Sequence, residues 1–186
     1  MVKVIRWFIS LFLDFIETIV VGLAFFVIIY LFLFQPHQVR GSSMFPNFHD
    51  GEYLLTDKIS YRLNTPTRGD VVIFKAPRNE DYDYIKRIIG LPGETIRVQD
   101  GKVFINNNTL EEDYIPQEYV TNGGSYWQTG KNIVLLPDEY FVLGDNRSHS
   151  SDSREWGVVP KANIVGKAFL RYWPTNRFDL IKRPLY

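Results

Sequence analysis

The run "TIVVGLAFFVIIYLFLF", Thr18 to Phe34, contains no charged residue. Extended back to Phe15 it gives about 20 mostly apolar residues, the number a helix needs to cross a bilayer core. A cleavable signal peptide would pair a shorter apolar region with small residues at the cut. Here "FLFQPHQVRG" follows instead. The segment 15–35 therefore reads as an uncleaved anchor, and whatever follows is tethered to a membrane from its amino end.

The residues in front of the anchor carry a pattern of their own. Lys3, Arg6, Ser10, Asp14 and Glu17 recur every three or four positions, so a continuous helix places them on one face. A helix over 2–34 would be roughly 50 Å long at 1.5 Å per residue, more than a bilayer core. The segment 1–14 is therefore expected at the interface or on the cytoplasmic side, its polar stripe at the headgroups or against a partner. Lys3 and Arg6 on one side face Arg40 on the other, a weak charge bias. A long following domain translocates largely regardless of such a bias.

After Pro36 the pattern changes. Short β-rich runs alternate with turn signals: "YLLT", "GDVVIF", "YIKRIIG", "ETIRV", "KVFIN", "NIVLL", "EYFVLG" and "NIVGKAFLRYW". Gln99-Asp100-Gly101 between "TIRV" and "KVFI" signals a hairpin. Residues 99–131 are richer in Asn, Glu, Gly and Tyr than their flanks, which suggests a small β subdomain inserted into a main β domain over 36–98 and 132–186. The expected fold is mainly β: a transmembrane helix followed by antiparallel sheet.

Composition removes several functions. Net charge is zero over 186 residues, so no nucleic acid or other polyanion is implied as partner. With no cysteine there is neither disulfide nor thiolate chemistry. His37, His49 and His149 lack metal-ligand spacing, so neither a metal nor a cofactor is expected.

The stretch "VRGSSMFPNFHDGE", Val39 to Glu52, begins five residues after the anchor run ends. Its serines suit a nucleophile held near the bilayer surface, and a serine nucleophile needs a base. Two residues compete for that role. His149, in "GDNRSHSSDSREWG", could complete a triad with Ser43 and Asp152. Lys86, in "DYDYIKRIIGLPGE", is the other. On a strand, Tyr84, Lys86 and Ile88 share one face while Asp83, Ile85 and Arg87 take the other. Burial there disfavours the ammonium and can lower a lysine pKa by 3–5 units from about 10.4. Bringing it to about 7 or 8 corresponds to roughly 4 kcal/mol. A lone lysine on a strand is also the ordinary signature of a snorkelling surface residue. Spacing alone leaves both bases open.

Four boxes, "GSSMFP", "RGDVVIF", "YIKRIIGLPGE" and "GDNRSHSSDSREWG", occur in that order and resemble those of the bacterial type I signal peptidases. These are membrane-anchored serine–lysine endopeptidases that remove signal peptides from exported preproteins. The likeness runs from about Gln38 to Tyr172 and includes the anchor; the last two boxes are the specific ones.

The resemblance implies Ser43, before Met44, as the acylated nucleophile and Lys86, before Arg87, as general base. It implies that Ser150 hydrogen-bonds and orients the Lys86 amine. Asp152 and Arg154 would form a supporting ion pair, and Asp145 and Arg147 would shape that loop. Met44, Tyr84 and Ile85 should wall shallow pockets for small substrate residues one and three positions before the cut. Asp83 to Ile85 should pair by backbone with the extended substrate. The implied fold is a set of coiled antiparallel sheets with a smaller inserted β domain.

The implied partners are preproteins, the lipid bilayer and a contact with the export machinery. The catalytic domain is expected on the extracytoplasmic side of the cell membrane. The chain departs from the family's usual Pro-Thr-Leu with Pro46-Asn47-Phe48, and carries Gly41 where some members have a hydroxyl that helps bind the oxyanion. Ser42 reads as a spacer, His149 as a loop residue, and "GLPGE" as a turn rather than a phosphate loop. Two other readings are a serine–lysine peptidase of narrower task, of conjugation or repressor type, and a non-catalytic tethered β module. The anchor speaks against the repressor type, and the full set of catalytic residues against the inert module.

Overall fold

The computed structural model describes residues 2–77 and 79–184. Helix α1, Val2–Ile28, is exposed along its described length. Within it, Lys3–Ile28 is long and apolar enough to cross a membrane, its most apolar 18 residues having a mean hydropathy of 2.4. At 1.5 Å per residue α1 is about 40 Å long, beyond the roughly 30 Å of a hydrocarbon core. Five residues of π-helix, Ile29–Leu33, end it. Phe34 and Gln35, expected inside the anchor, instead open strand β1, Phe34–Gln38, opposite Asp57 and Thr56. The cause is Pro36, which cannot continue a helix and disfavours helical backbone just before it.

The main sheet is antiparallel and eight-stranded. Its further strands are β2 (Tyr53–Asp57), β3 (Val71–Lys75), β4 (Asp83–Gly90), β9 (Glu139–Leu143), β10 (Val159–Pro160), β11 (Ile164–Trp173) and β12 (Asp179–Leu180). The order is β1-β2-β11-β3-β4-β9-β10, with β12 on the flank of β11. β1 is an edge strand, the one place in a sheet that tolerates Pro36. β3 and β4 lie inside the sheet, and the continuous apolar runs of "VVIF" and "IIG" match burial on both faces.

The second sheet has four strands in the order β7-β6-β5-β8: β5 (Thr95–Gln99), β6 (Lys102–Ile105), β7 (Asn108–Thr109) and β8 (Asn132–Val134). It reaches wider than 99–131 because the Asp100-Gly101 turn is the middle of its first hairpin, not its border. Two short helices complete the domain, α2 (Ser60–Leu63) and α3 (Ser153–Trp156).

Three buried clusters hold the domain. Ile89, Ile96, Trp127 and Phe141 join the two sheets. Val72, Phe74, Ile88 and Tyr140 fill the far face of the main sheet. Val39, Met44, Phe48, Leu54, Val71 and Ala168 pack beneath the loop after β1, so that loop is seated on core rather than hanging in solvent.

Candidate active site

The loop from Val39 to Gly51 is closed by its own backbone. Val39 N–H donates to Glu52 O at 2.8 Å, and Gly51 N–H to Val39 O at 2.9 Å. Gly41 sits at φ +82° with its N–H on Asp50 Oδ1 at 2.7 Å. A serine or threonine there would be strained in the left-handed region, which accounts for the missing hydroxyl. The loop fixes Ser43 half-buried and leaves Ser42 exposed.

β4 supplies the second group. Lys86 is 5% exposed. Its Nζ lies 2.9 Å from Ser43 Oγ and donates to Ile85 O at 2.8 Å. The amine stands 5.6 Å from the centre of the Tyr84 ring, on the face shared by alternation. Burial brings its pKa down to about 8, against the opposing pull of Asp152 and Asp145. A fraction of the amine is therefore neutral near pH 7, with a lone pair able to take the Ser43 hydroxyl proton.

The last box closes around the same loop. Asn146 N–H donates to Ser43 O at 3.0 Å, and its side-chain amide to Ser42 O at 3.1 Å. Gly144 is required by close approach: a Cβ there would lie 2.4 Å from Ser43 O and 2.2 Å from Ser150 Oγ. Asp152 caps α3, accepts from Gly144 N–H at 3.1 Å, and pairs with Arg154 at 2.8 Å. Arg154 also donates to Arg147 O at 2.7 Å, which ties the loop to itself.

Asp145 and Arg147 take partners the sequence did not suggest. Asp145 forms a buried two-pronged pair with Arg87, at 2.8 and 2.6 Å, and accepts from Asn47 at 2.8 Å. Arg147 grips Glu112 with both nitrogens, at 2.8 and 2.6 Å, and donates to Thr121 at 2.7 Å. Asn47 stands at one of the two departures from the family pattern, so that departure contributes a bond. Glu112 and Thr121 had no signal in the sequence, because no motif includes them and only the fold brings them near.

Two expectations need correction, and one alternative falls. Met44 does not wall the cleft: it is fully buried among Val39, Phe48 and Leu54, beneath the loop. A long apolar side chain pointing away from the serine serves better as the loop's foundation. The expected bond from Ser150 to the Lys86 amine is not made. Ser150 Oγ is buried without a hydrogen-bond partner among the described residues, while the amine is taken by Ser43 and Ile85. The histidine triad is not assembled either. His149 is exposed with its Nδ1 against Ser148 Oγ at 2.9 Å, and Asp152 is committed to Arg154.

A cavity of about 310 Å³ opens beside Ser43 and Lys86, its wall including His37, Ile73, Asp83, Tyr84 and Ile85. Its mostly apolar lining and converging polar groups suit an extended peptide with small side chains. The pair beside it can accept and return one proton, which is the requirement of acyl transfer.

The sequence matches the family described as "Signal peptidase, peptidase S26" over residues 12–173. It is 39% identical over 178 residues to a signal peptidase I of Leptolyngbya laminosa, spanning 91% of this chain and 83% of the relative. It is 37% identical over 170 residues to a probable signal peptidase I-2 of Synechocystis, spanning 89% and 75%. Signal peptidase IB of Staphylococcus aureus is 31% identical over 188 residues, spanning 95% and 93%. A crystal structure of a signal peptidase I from Enterococcus faecalis V583 superposes with a TM-score of 0.47 at 34% identity, over 56% of this chain and 97% of that one.

Proposed function

The chain belongs to the peptidase S26 family of signal peptidases, and we propose that it cuts preproteins with Ser43 as nucleophile and Lys86 as general base. As a type I signal peptidase it is a membrane-anchored serine endopeptidase that acts on preproteins carrying signal peptides. What supports the residue assignment is one observation: a buried lysine amine 2.9 Å from the half-buried Ser43 hydroxyl.

The chemistry then runs in two halves. Neutral Lys86 takes the Ser43 proton as Oγ attacks the scissile carbonyl carbon, forming a tetrahedral oxyanion. The Ser43 backbone N–H is the donor to that oxyanion that any side chain at position 41 leaves available. As the C–N bond breaks, the Lys86 ammonium returns the proton to the leaving amine, and the acyl-enzyme remains on Ser43. Water then gives its proton to Lys86 while its oxygen attacks the ester, and the same proton passes to Ser43 as the signal peptide departs with a new carboxyl terminus. Asp152 with Arg154, and Asp145 with Arg87, hold the surrounding loop and strand in register.

The remaining assignments belong to the same reading. The segment before Phe15 lies on the cytoplasmic side or at the interface, the helix from Phe15 to Leu33 serves as anchor, and the eight-stranded sheet forms the catalytic domain, with the four-stranded sheet between Thr95 and Val134 as its small insertion. The catalytic domain faces outward, in contact with lipid headgroups and the export machinery, because a signal peptide is cut after export. Ser43 follows Phe34 by nine residues, which keeps it near the level where a signal peptide leaves the bilayer.

Two experiments test this. The detergent-solubilised protein incubated with a preprotein should yield a single cut after a small residue; no cut, or scattered cuts, would remove the reading. Protease added to intact spheroplasts should digest 36–186, whereas protection until the membrane is opened would reverse the topology.

A further inference from the structure

The insertion between Thr95 and Val134 contributes no residue to the four boxes, yet it reaches both loops around the serine. Leu110 and Tyr114, just after β7, pack against the core cluster that joins the two sheets, which gives the stretch between them a fixed footing. From there Glu112 holds both terminal nitrogens of Arg147. Tyr114 Oη donates to Glu112 Oε1 at 2.5 Å and accepts from Arg147 Nη2 at 3.0 Å. The Tyr114 carbonyl accepts from Asn47 Nδ2 at 2.8 Å, and the same amide donates to Asp145. Asn47 belongs to the loop that carries Ser43, so one short segment of the insertion is tied to both loops.

Arg147 is the link to the reacting groups. It is buried, and its guanidinium bonds go to Glu112, Tyr114 and Thr121 of the insertion and to a single acceptor in its own loop, Gly144 O, at 3.0 Å. Asn146, its neighbour in the chain, donates its N–H to Ser43 O, and Gly144 abuts both Ser43 O and Ser150 Oγ. A shift of Arg147 is therefore passed to the backbone of Ser43 through the residue beside it. Neither Glu112 nor Tyr114 lines the cavity next to Ser43 and Lys86, so any effect they have on rate runs through the loops.

We propose that Glu112 and Tyr114 are positioning residues for the cleavage reaction, through which the inserted sheet holds the Arg147 loop and the Ser43 loop in register with Lys86. The proposal rests on the peptidase reading above, since it takes Ser43 and Lys86 as the reacting pair. A buried guanidinium left without its carboxylate is costly, so loss of Glu112 drives Arg147 toward another acceptor and takes the loop with it. The insertion thereby has a part in the chemistry although none of the boxes lies in it.

The test compares Glu112→Gln and Tyr114→Phe in the full-length chain in detergent, each assayed with a preprotein well below its own melting temperature. Tyr114→Phe removes the hydroxyl and keeps the carbonyl that Asn47 uses. A displacement of about 1 Å can cost about 10²-fold in rate. Partial loosening should therefore lower kcat by roughly tenfold in Glu112→Gln and about threefold in Tyr114→Phe, with KM within about twofold of wild type. Glu94→Gln is the structural comparison: it breaks the pair with Arg68 at the foot of the insertion, and should lower the melting temperature while leaving kcat unchanged. Wild-type kcat in both test variants, whatever their melting temperatures, would overturn the proposal. A rise in KM at unchanged kcat, or an equal loss of kcat in Glu94→Gln, would overturn it too. If Glu112→Gln does not fold, Tyr114→Phe decides alone. Wild-type chain that cleaves no preprotein would overturn the peptidase reading and this proposal with it, a result distinct from unchanged kcat.

Discussion

The Lys86 amine lies 2.9 Å from the Ser43 hydroxyl, with the lysine only 5% exposed, and this closeness is bought against stability. Burial holds the pKa at about 8 in the fold. The unfolded chain returns it to about 10.4. Between those values the unfolded state binds the extra proton, so stability rises with pH across about 8 to 10.4. Below pH 8 the buried ammonium costs about 3 kcal/mol, from 1.36 kcal/mol per pKa unit.

Replacing it with a neutral chain of similar length should therefore stabilise the domain. Lys86→Met is expected to melt at higher temperature than wild type at pH 7 in detergent, with the gap closing as pH approaches 10. A variant less stable than wild type at pH 7 would show that the ammonium is well solvated, and the lowered pKa would lose its cause.

The nucleophile is tested by its neighbour. Ser42 is exposed and Ser43 faces Lys86, so Ser43→Ala should lower preprotein processing by roughly 10⁴-fold or more. Ser42→Ala, which keeps the backbone carbonyl that Asn146 holds, should retain most activity. Melting temperature and membrane extraction should be unchanged in both. Loss from the Ser42 change with survival of the Ser43 change would give the role to the wrong serine.

The parts of the fold legible in the sequence were those with a local cause. The charge-free run from Thr18 is helical as far as Leu33, and the β runs from "YLLT" to "NIVGKAFLRYW" each coincide with a strand. β1 escaped because Pro36 ordinarily argues against a strand, and its edge position is a tertiary fact. The closeness of Ser43 and Lys86 was implied by the family boxes, not by spacing. The partners of Asp145 and Arg147 were not, since Arg87 and Glu112 lie 58 and 35 residues away in the chain and meet only through packing. His37 was read as an isolated histidine for the same reason: its partners Thr56 and Asp83 lie 19 and 46 residues on.

Ser150 offers a different test. Its hydroxyl is buried without a hydrogen-bond partner among the described residues, an arrangement that is costly unless function uses it. The Lys86 amine donates to Ser43 Oγ and to Ile85 O, so its protonated form has a third N–H, and Ser150 Oγ is an acceptor without a partner among the described residues. Ser150→Ala should therefore keep or slightly raise stability while slowing turnover by roughly 10²-fold or more, with KM little changed. A full-rate Ser150→Ala would leave the hydroxyl without an orienting role.

The identity of the base is decided by how rate depends on pH. A histidine base generally titrates near 6.5, so its activity would level off by about pH 7.5. Lys86 with a pKa of about 8 must lose its proton first, so kcat/KM should climb through pH 8 and level off only in the alkaline range. The sign follows from the active form being the deprotonated one. Geometry points the same way, because His149 is exposed against Ser148 while Lys86 touches Ser43. His149→Ala should then keep substantial turnover with the same alkaline profile. Lys86→Ala should be inactive, and so should Lys86→Arg, whose guanidinium stays charged across the whole range and cannot take the proton. Good processing by Lys86→Ala, together with its loss in His149→Ala and a rise centred near pH 6.5, would hand the reaction to a histidine triad.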